Sequence, residues 1–189
     1  LENSHVLPAM MRKAHLARLL SEGDWTALRR DLALRPVEGV GGAADRGLIE
    51  DVLARYGITP GVLTLWGTGA PMREFLWSED MADASVHVLL NVDFGDTYDH
   101  ACSEIRNCHI NVGTGLELSI RSLAMKVMSE VGFDGELRWD SSKPDGTPRK
   151  LTDVSRLHAL GWRHKVDIDE GIHRLYEWYR QGLADERCG

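Results

Sequence analysis

Residues 66–80 read Trp-Gly-Thr-Gly-Ala-Pro-Met-Arg-Glu-Phe-Leu-Trp-Ser-Glu-Asp, and no other stretch constrains the chain as strongly. Gly67, Gly69 and Pro71 crowd into five residues and mark a tight turn. Val62-Leu63-Thr64-Leu65-Trp66 reads as a short strand entering that turn, and Arg73–Trp77 as a second extended segment leaving it. Ser78 then caps a helix whose first turn carries Glu79 and Asp80 at the positive end of the helix dipole. An arginine just past a glycine-rich turn, with a tryptophan on its other side, suits a ligand that carries a phosphate or an aromatic ring. The guanidinium fork takes phosphate oxygens in pairs, and an indole offers a flat face. The plainer alternative is a turn whose tryptophan is core and whose arginine pairs with a neighbouring acid.

The expected architecture is α/β. Asn3 or Ser4 caps a first helix that tolerates Pro8 in its opening turn. Met11, Leu16, Leu19 and Leu20 share its inward face, Arg12, Lys13 and Arg18 lie elsewhere, and Gly23 stops it. Asp24 caps a second helix through Leu34, and Arg35-Pro36 ends it. A third helix places Leu48, Ile49, Val52, Leu53 and Tyr56 on one side and ends at Gly57. In the helix after Ser78, the spacing predicts a buried stripe of Met81, Ala84, Ser85, Val88 and Leu89. Residues 93–108 are polar and lead into an expected strand, His109–Val112. The adjacent Cys108 and His109, with no CxxC pair, have poor spacing for zinc. Gly113-Thr114-Gly115 precedes a helix over 120–131 capped by Ser119; it is either a phosphate cradle or, as preferred, a tight structural turn. Glu136–Trp139 forms a strand that delivers a turn-rich loop, Lys143 to Lys150. Two more helices follow, one over Asp153–Leu160 and one opened by Asp167 with Ile168, Ile172, Leu175, Tyr176 and Tyr179 inward.

Bulk composition narrows the function. The 189 residues carry a net charge of −7, which argues against a general nucleic-acid or anionic-membrane binder, since both need a basic footprint. No apolar run approaches a membrane span, and three cysteines suit a reducing cytoplasm better than a disulfide framework. The chain opens on Leu1, and Gly113–Leu118 keeps only the first two glycines of a dinucleotide fingerprint. The expectation is therefore the back part of a longer protein, with its nucleotide-binding βαβ units elsewhere.

Four motifs in order sharpen this. Residues 3–9 (NSHVLPA), 66–75 (WGTGAPMREF), 109–115 (HINVGTG) and 143–150 (KPDGTPRK), with further similarity through 153–162, make the chain resemble the GDP-L-fucose synthases of the extended short-chain dehydrogenase/reductase family. The resemblance covers nearly the whole chain as one substrate-binding portion, residues 1–189, with elements returning to a Rossmann sheet. Many relatives pass directly from the Pro8 helix to the WGTG strand, so 24–62 reads as a helical insertion, peripheral rather than a lid. The resemblance implies epimerisation of GDP-4-keto-6-deoxy-D-mannose at C3 and C5 followed by NADPH-dependent reduction at C4. It matches His5 to the family's active-site histidine beside the nicotinamide. It also matches Lys13, Trp66, Arg73, Asp145 and Lys150 to positions that hold the GDP-sugar, and leaves Arg149 undecided. A cytoplasmic homodimer is implied for the complete enzyme, without metal. The rivals are another nucleotide-sugar epimerase or dehydratase, and a nucleotide-sugar-binding module without catalysis.

Overall fold

The computed structural model describes residues 5–101 and 103–184. In chain order they form α1 (Val6–Glu22), α2 (Trp25–Leu34), α3 (Arg46–Arg55), β1 (Ile58–Thr59), β2 (Val62–Trp66), β3 (Met72–Glu74) and α4 (Ser78–Asn91). These are followed by β4 (Glu117–Ser119), α5 (Ile120–Val131), β5 (Glu136–Asp140), β6 (Arg149–Lys150), α6 (Ser155–Ala159) and α7 (Ile168–Ala184). The fold is α/β, as expected. It divides into two compact units, one built from residues up to 71, 119–146 and from 172 onward, the other from 72–118 and 147–171.

In the first unit, β1, β2 and β5 make a small sheet, with β2 and β5 parallel from Val62↔Glu136 to Trp66↔Asp140. A parallel pair needs a crossover, and α5 lies within the connection that supplies it. Helix α1 is the hub. It packs on α2, α5, β1 and β2, and Met10, Met11, Ala14, Leu16, Ala17, Leu19 and Leu20 are all buried. The expected inward residues are correct, and Gly23 closes the helix in the left-handed conformation. His5 occupies the N-cap position; the caps expected at Asn3 or Ser4 lie outside the described residues.

Arg12 departs from the expected pattern, because it is buried. Its guanidinium donates twice to Asp31 on α2, at 3.0 and 2.7 Å, and once to the Arg35 carbonyl. Asp31 is 0% exposed, and its other oxygen accepts from the Tyr179 hydroxyl of α7. A carboxylate removed from water is tolerable only when its lone pairs are filled this way. The 24–62 segment is accordingly packed rather than peripheral: Leu28, Leu32, Ile49, Val52 and Leu53 are core, while Leu48 is 48% exposed, against expectation.

In the second unit, β4, β3 and β6 form another small sheet in that order. Helix α4 begins one residue after Trp77, which takes the cap position expected for Ser78. Ala84, Leu157 and Trp162 centre the core, joined by Leu76, Val88, Ile110 and Val112. The predicted stripe is largely wrong. Met81 and Leu89 are exposed, Leu89 at 81%, and Ser85 bonds back to the Met81 carbonyl at 2.9 Å. Asp80 is buried instead, accepting at 2.9 Å from the backbone N–H of both Lys165 and Val166. Asp83 accepts from the Trp162 indole at 2.8 Å, and the His87 imidazole meets the Leu160 carbonyl at 2.9 Å. Polar side chains that satisfy a neighbouring loop thus choose the face that α4 buries. Residues 109–112 are not a strand, and α6 is only five residues long. Asp167 does cap α7, accepting from the Glu170 N–H at 2.9 Å. Among the described residues no helix is long and apolar enough to cross a membrane.

His15 on α1 is enclosed by Tyr176 and Tyr179, with Nδ1 3.0 Å from the Tyr176 hydroxyl. Burial lowers its pKa from 6.5 to about 4; Asp31 pulls it upward, while Arg18, Arg180 and Arg12 push it down. The unfolded chain therefore takes up this proton first. The His15 contribution to stability is complete above the ordinary histidine value and is lost as pH falls toward about 4, at no more than ~1.4 kcal/mol per pH unit. Denaturant melts between about pH 7.5 and 5 should show this slope, and His15→Gln should flatten it.

Candidate functional site

The Trp66–Pro71 turn is built by close approaches that only glycine permits. Gly67 sits at φ +80°, and a Cβ there would lie 2.3 Å from Oδ1 of Asp145. Gly69 sits at φ +75°, and a Cβ would strike the Trp139 indole at 2.6 Å. Into the first gap comes the Asp145 carboxylate, which accepts from the Thr68 N–H at 2.8 Å and the Thr68 hydroxyl at 2.6 Å. Those two bonds lower the Asp145 pKa. Arg121 on α5 closes the other side, donating to the Thr68 carbonyl at 2.7 Å and stacking 4.9 Å from the Trp139 ring. The first N–H groups of α5 are spoken for: Ile120 donates to the Pro71 carbonyl, Arg121 to that of Gly69, and Ser122 to the Ser119 hydroxyl. These three donors are therefore not available to a phosphate.

This turn holds Trp66 outward at the rim of a cleft of about 550 Å³ in the first unit. Trp66 is 64% exposed, so the reading of it as core is wrong. Its ring is flanked by two ammonium groups, Lys13 at 6.0 Å and Lys143 at 5.6 Å from the centroid. Lys13 lines the cleft with Met10, Leu65, Trp66 and Trp139, and burial lowers its pKa below the ordinary lysine value. A partly desolvated ammonium beside an open aromatic face attracts an anionic group attached to a ring. Glu38, Arg55 and Tyr56 form the remaining polar wall. His5 is exposed, directly before the cleft-lining Val6, and its side chain makes no capping bond.

In the second unit, β3 and β6 are parallel with Arg73 and Lys150 in register, so the two cations stand side by side. Among the described residues Arg73 pairs with no carboxylate; its guanidinium donates to the adjacent Met72 carbonyl at 2.6 Å. The plainer reading of an arginine spent on a neighbouring acid therefore fails. Arg149 is ion-paired to Glu117 at 2.8 Å.

The Gly113–Gly115 turn does cradle an anion, but the anion is the protein's own. One oxygen of Glu74 accepts from the N–H groups of Thr114 at 2.5 Å and Gly115 at 2.7 Å, and the other from that of Thr152 at 3.0 Å. Burial works to raise the Glu74 pKa, yet the hydrogen bonds from Gly115, Thr152 and Thr114 outweigh it and the pKa falls. A dinucleotide pyrophosphate accordingly has no cradle at this turn.

Of the six sequence-derived candidates, Lys13 and Trp66 share one cleft wall, and Arg73 and Lys150 share one strand pair. Asp145 is a loop fastener with both oxygens on Thr68, and His5 stands free ahead of α1. Sequence reasoning missed Lys143, Arg121 and the Glu38–Arg55–Tyr56 wall. Lys143 carried a signal, because it opens the same turn-rich loop as Asp145; the others needed tertiary contacts.

Comparison with known proteins shows what the chain is similar to. Residues 32–113 match the model of the NAD dependent epimerase/dehydratase family. The chain is 39% identical to GDP-L-fucose synthase 1 of Arabidopsis thaliana over 184 residues, covering 97% of this chain and 42% of that protein. Among solved structures, a GDP-6-OMe-4-keto-L-xylo-heptose reductase from C. jejuni is 41% identical with a TM-score of 0.83, covering 95% of this chain and 48% of that one. A GDP-mannoheptose C4 reductase from Campylobacter jejuni with NADP bound is 38% identical with a TM-score of 0.80, covering 95% and 47%. The class these matches share is the NAD-dependent epimerase/dehydratase type of extended short-chain dehydrogenases/reductases, and the chain is similar to a part of such proteins. Within that class it is similar, along nearly its whole length, to the GDP-L-fucose synthases, and it spans under half the length of the relatives it matches.

The Glu74 cradle yields a stability test. Glu74→Gln keeps the side chain's length but removes the charge and one acceptor, so the second unit should lose about 1–3 kcal/mol. Because the Glu74 pKa is depressed, its contribution is complete above the ordinary carboxylate value and disappears as pH falls through the lowered one. Urea melts at pH 7 should separate the variant from the wild type, and the difference should shrink in acid.

Proposed function

We propose that this chain supplies the sugar-nucleotide side of an enzyme that converts GDP-4-keto-6-deoxy-D-mannose to GDP-L-fucose, by epimerisation at C3 and C5 and reduction at C4. The observation that carries the reading is the mostly apolar cleft in which Trp66 stands open between Lys13 and Lys143. Curated GDP-L-fucose synthases match along the same residues. The complete enzyme is proposed as a cytoplasmic homodimer that takes its hydride from NADPH. Glu74 fills the Gly113–Gly115 turn, so that turn offers no cradle to a dinucleotide phosphate, and the chain's proposed chemistry lies with the sugar.

The 4-keto group acidifies the C–H bonds at C3 and C5, which lets a positioned acid and base exchange protons there. His5 is assigned as the acid that returns a proton to the epimerised carbon. Lys13 and Trp66 are assigned to the nucleotide-sugar, Arg73 and Lys150 to its diphosphate charge, and Asp145 to shaping the loop. A second reading is reduction at C4 of a GDP-heptose. The identities of 38–41% and TM-scores of 0.80–0.83 to solved heptose reductases favour it.

Two measurements test the assignment in protein expressed from the longest reading frame that contains this sequence. Arg73→Ala should weaken GDP-sugar binding roughly ten- to hundredfold while sparing NADPH, and Arg73→Lys should recover only part. Calorimetry that shows loss for NADPH alone would place Arg73 on the other ligand. His5→Gln should reduce deuterium incorporation at C3 and C5 in D₂O by about 10²–10⁴-fold, with slow reduction of unepimerised substrate surviving. Unchanged exchange and product would make His5 structural, and turnover of a GDP-heptose in preference to the 6-deoxy sugar would favour the second reading.

A further inference from the structure

Part of the cleft lining, Glu38, Arg55 and Tyr56, comes from the 24–62 segment, and its geometry is costly for a loop without a task. Val37 and Val40 bridge a tight turn whose central residues are Glu38, at φ +48°, and Gly39, at φ +77°. Such turns favour Asn, Asp or Gly at the first central position, where a Glu side chain strains the backbone. The Glu38 carboxylate is nevertheless fixed on both oxygens, by the Arg55 guanidinium and by the Tyr56 hydroxyl at 3.2 Å. All three residues line the cleft. The ion pair is open to solvent, with the two side chains 53% and 36% exposed, so it returns little stability for the strain. Strained, solvent-open polar groups on a cleft wall are a signature of ligand contact.

Charge decides which part of a ligand belongs there. A diphosphate is repelled by Glu38, whereas its carboxylate accepts from neighbouring sugar hydroxyls and the Arg55 guanidinium beside it donates to them. We propose that Glu38, held by Arg55 and Tyr56, reads adjacent hydroxyl groups of the glycosyl half of a nucleotide-diphosphate sugar and so sets sugar specificity. This rests on the reading of the cleft as a GDP-sugar site. The 24–62 segment then acts as the specificity element of the site.

The test uses the full-length protein, with calorimetry against GDP and against GDP-mannose as the hydroxylated probe, and a thermal melt of each variant. The wild type should bind GDP-mannose more tightly than GDP. Glu38→Gln should leave GDP affinity unchanged and lower that for GDP-mannose about tenfold or more, the size expected for losing a charge-assisted hydrogen bond. Glu38→Gly should raise the melting temperature by relieving the left-handed strain, and should lose the same sugar affinity. Stability rising while sugar binding falls is an outcome that a purely structural pair cannot give. Unchanged GDP-mannose affinity in both variants, with GDP still bound, overturns the proposal alone. Failure of the wild type to bind GDP at all overturns the GDP-sugar reading, and the proposal with it.

Discussion

The first unit depends on the enclosure of Asp31. A carboxylate with no exposed surface must have its lone pairs filled, and here three elements converge to do so: Arg12 from α1, Tyr179 from α7, and α2, which carries Asp31 itself. Arg12 binds the Arg35 carbonyl as well, so the same guanidinium also finishes α2. Removing one member of such a buried pair typically costs about 3–5 kcal/mol, because the partner is left charged and dry. The network therefore specifies one packing of α1 against α2 and α7. Hydrophobic burial along α1 supplies cohesion, but the polar contact selects the register.

Once α1 is held, Lys13, one residue past Arg12, is committed to the cleft with Trp66. The same helix thus satisfies a structural ion pair and presents a cleft-lining cation at consecutive positions. The 24–62 segment is coupled to this arrangement through Asp31, Leu28 and Leu32, so the turn bearing Glu38 is anchored rather than loose. Its Val37 is buried, which fixes the strained residue next to it.

Two glycine-rich turns of similar appearance have different fates. In Trp66–Pro71 the glycines admit Asp145 and Trp139, and the turn becomes the support of an exposed indole. In Gly113–Gly115 the amides converge on an anion, as they would on a phosphate, but Glu74 occupies the position. Backbone geometry alone does not distinguish a ligand cradle from an internal one; what fills it does.

Local chemistry was enough to predict much of this fold. Strand β2, the Asp24 cap of α2, Ser119 at the head of α5, the left-handed glycines at 23 and 132, and the Asp167 cap of α7 all follow from residue preferences that act within a few positions. The motifs also singled out Lys13, Trp66, Arg73, Asp145 and Lys150 as a set. Tertiary structure decided the rest, because those outcomes depend on partners far away in sequence. The face α4 buries was set by Asp80 meeting Lys165 and Val166 rather than by its apolar periodicity. Arg12 went inward because Asp31 was there to receive it. Lys143 reached Trp66, and Glu38 reached the cleft, only through folding of their loops. Periodicity describes which surface a helix offers; buried polar groups, whose cost is paid or avoided by specific distant atoms, decide which surface is taken.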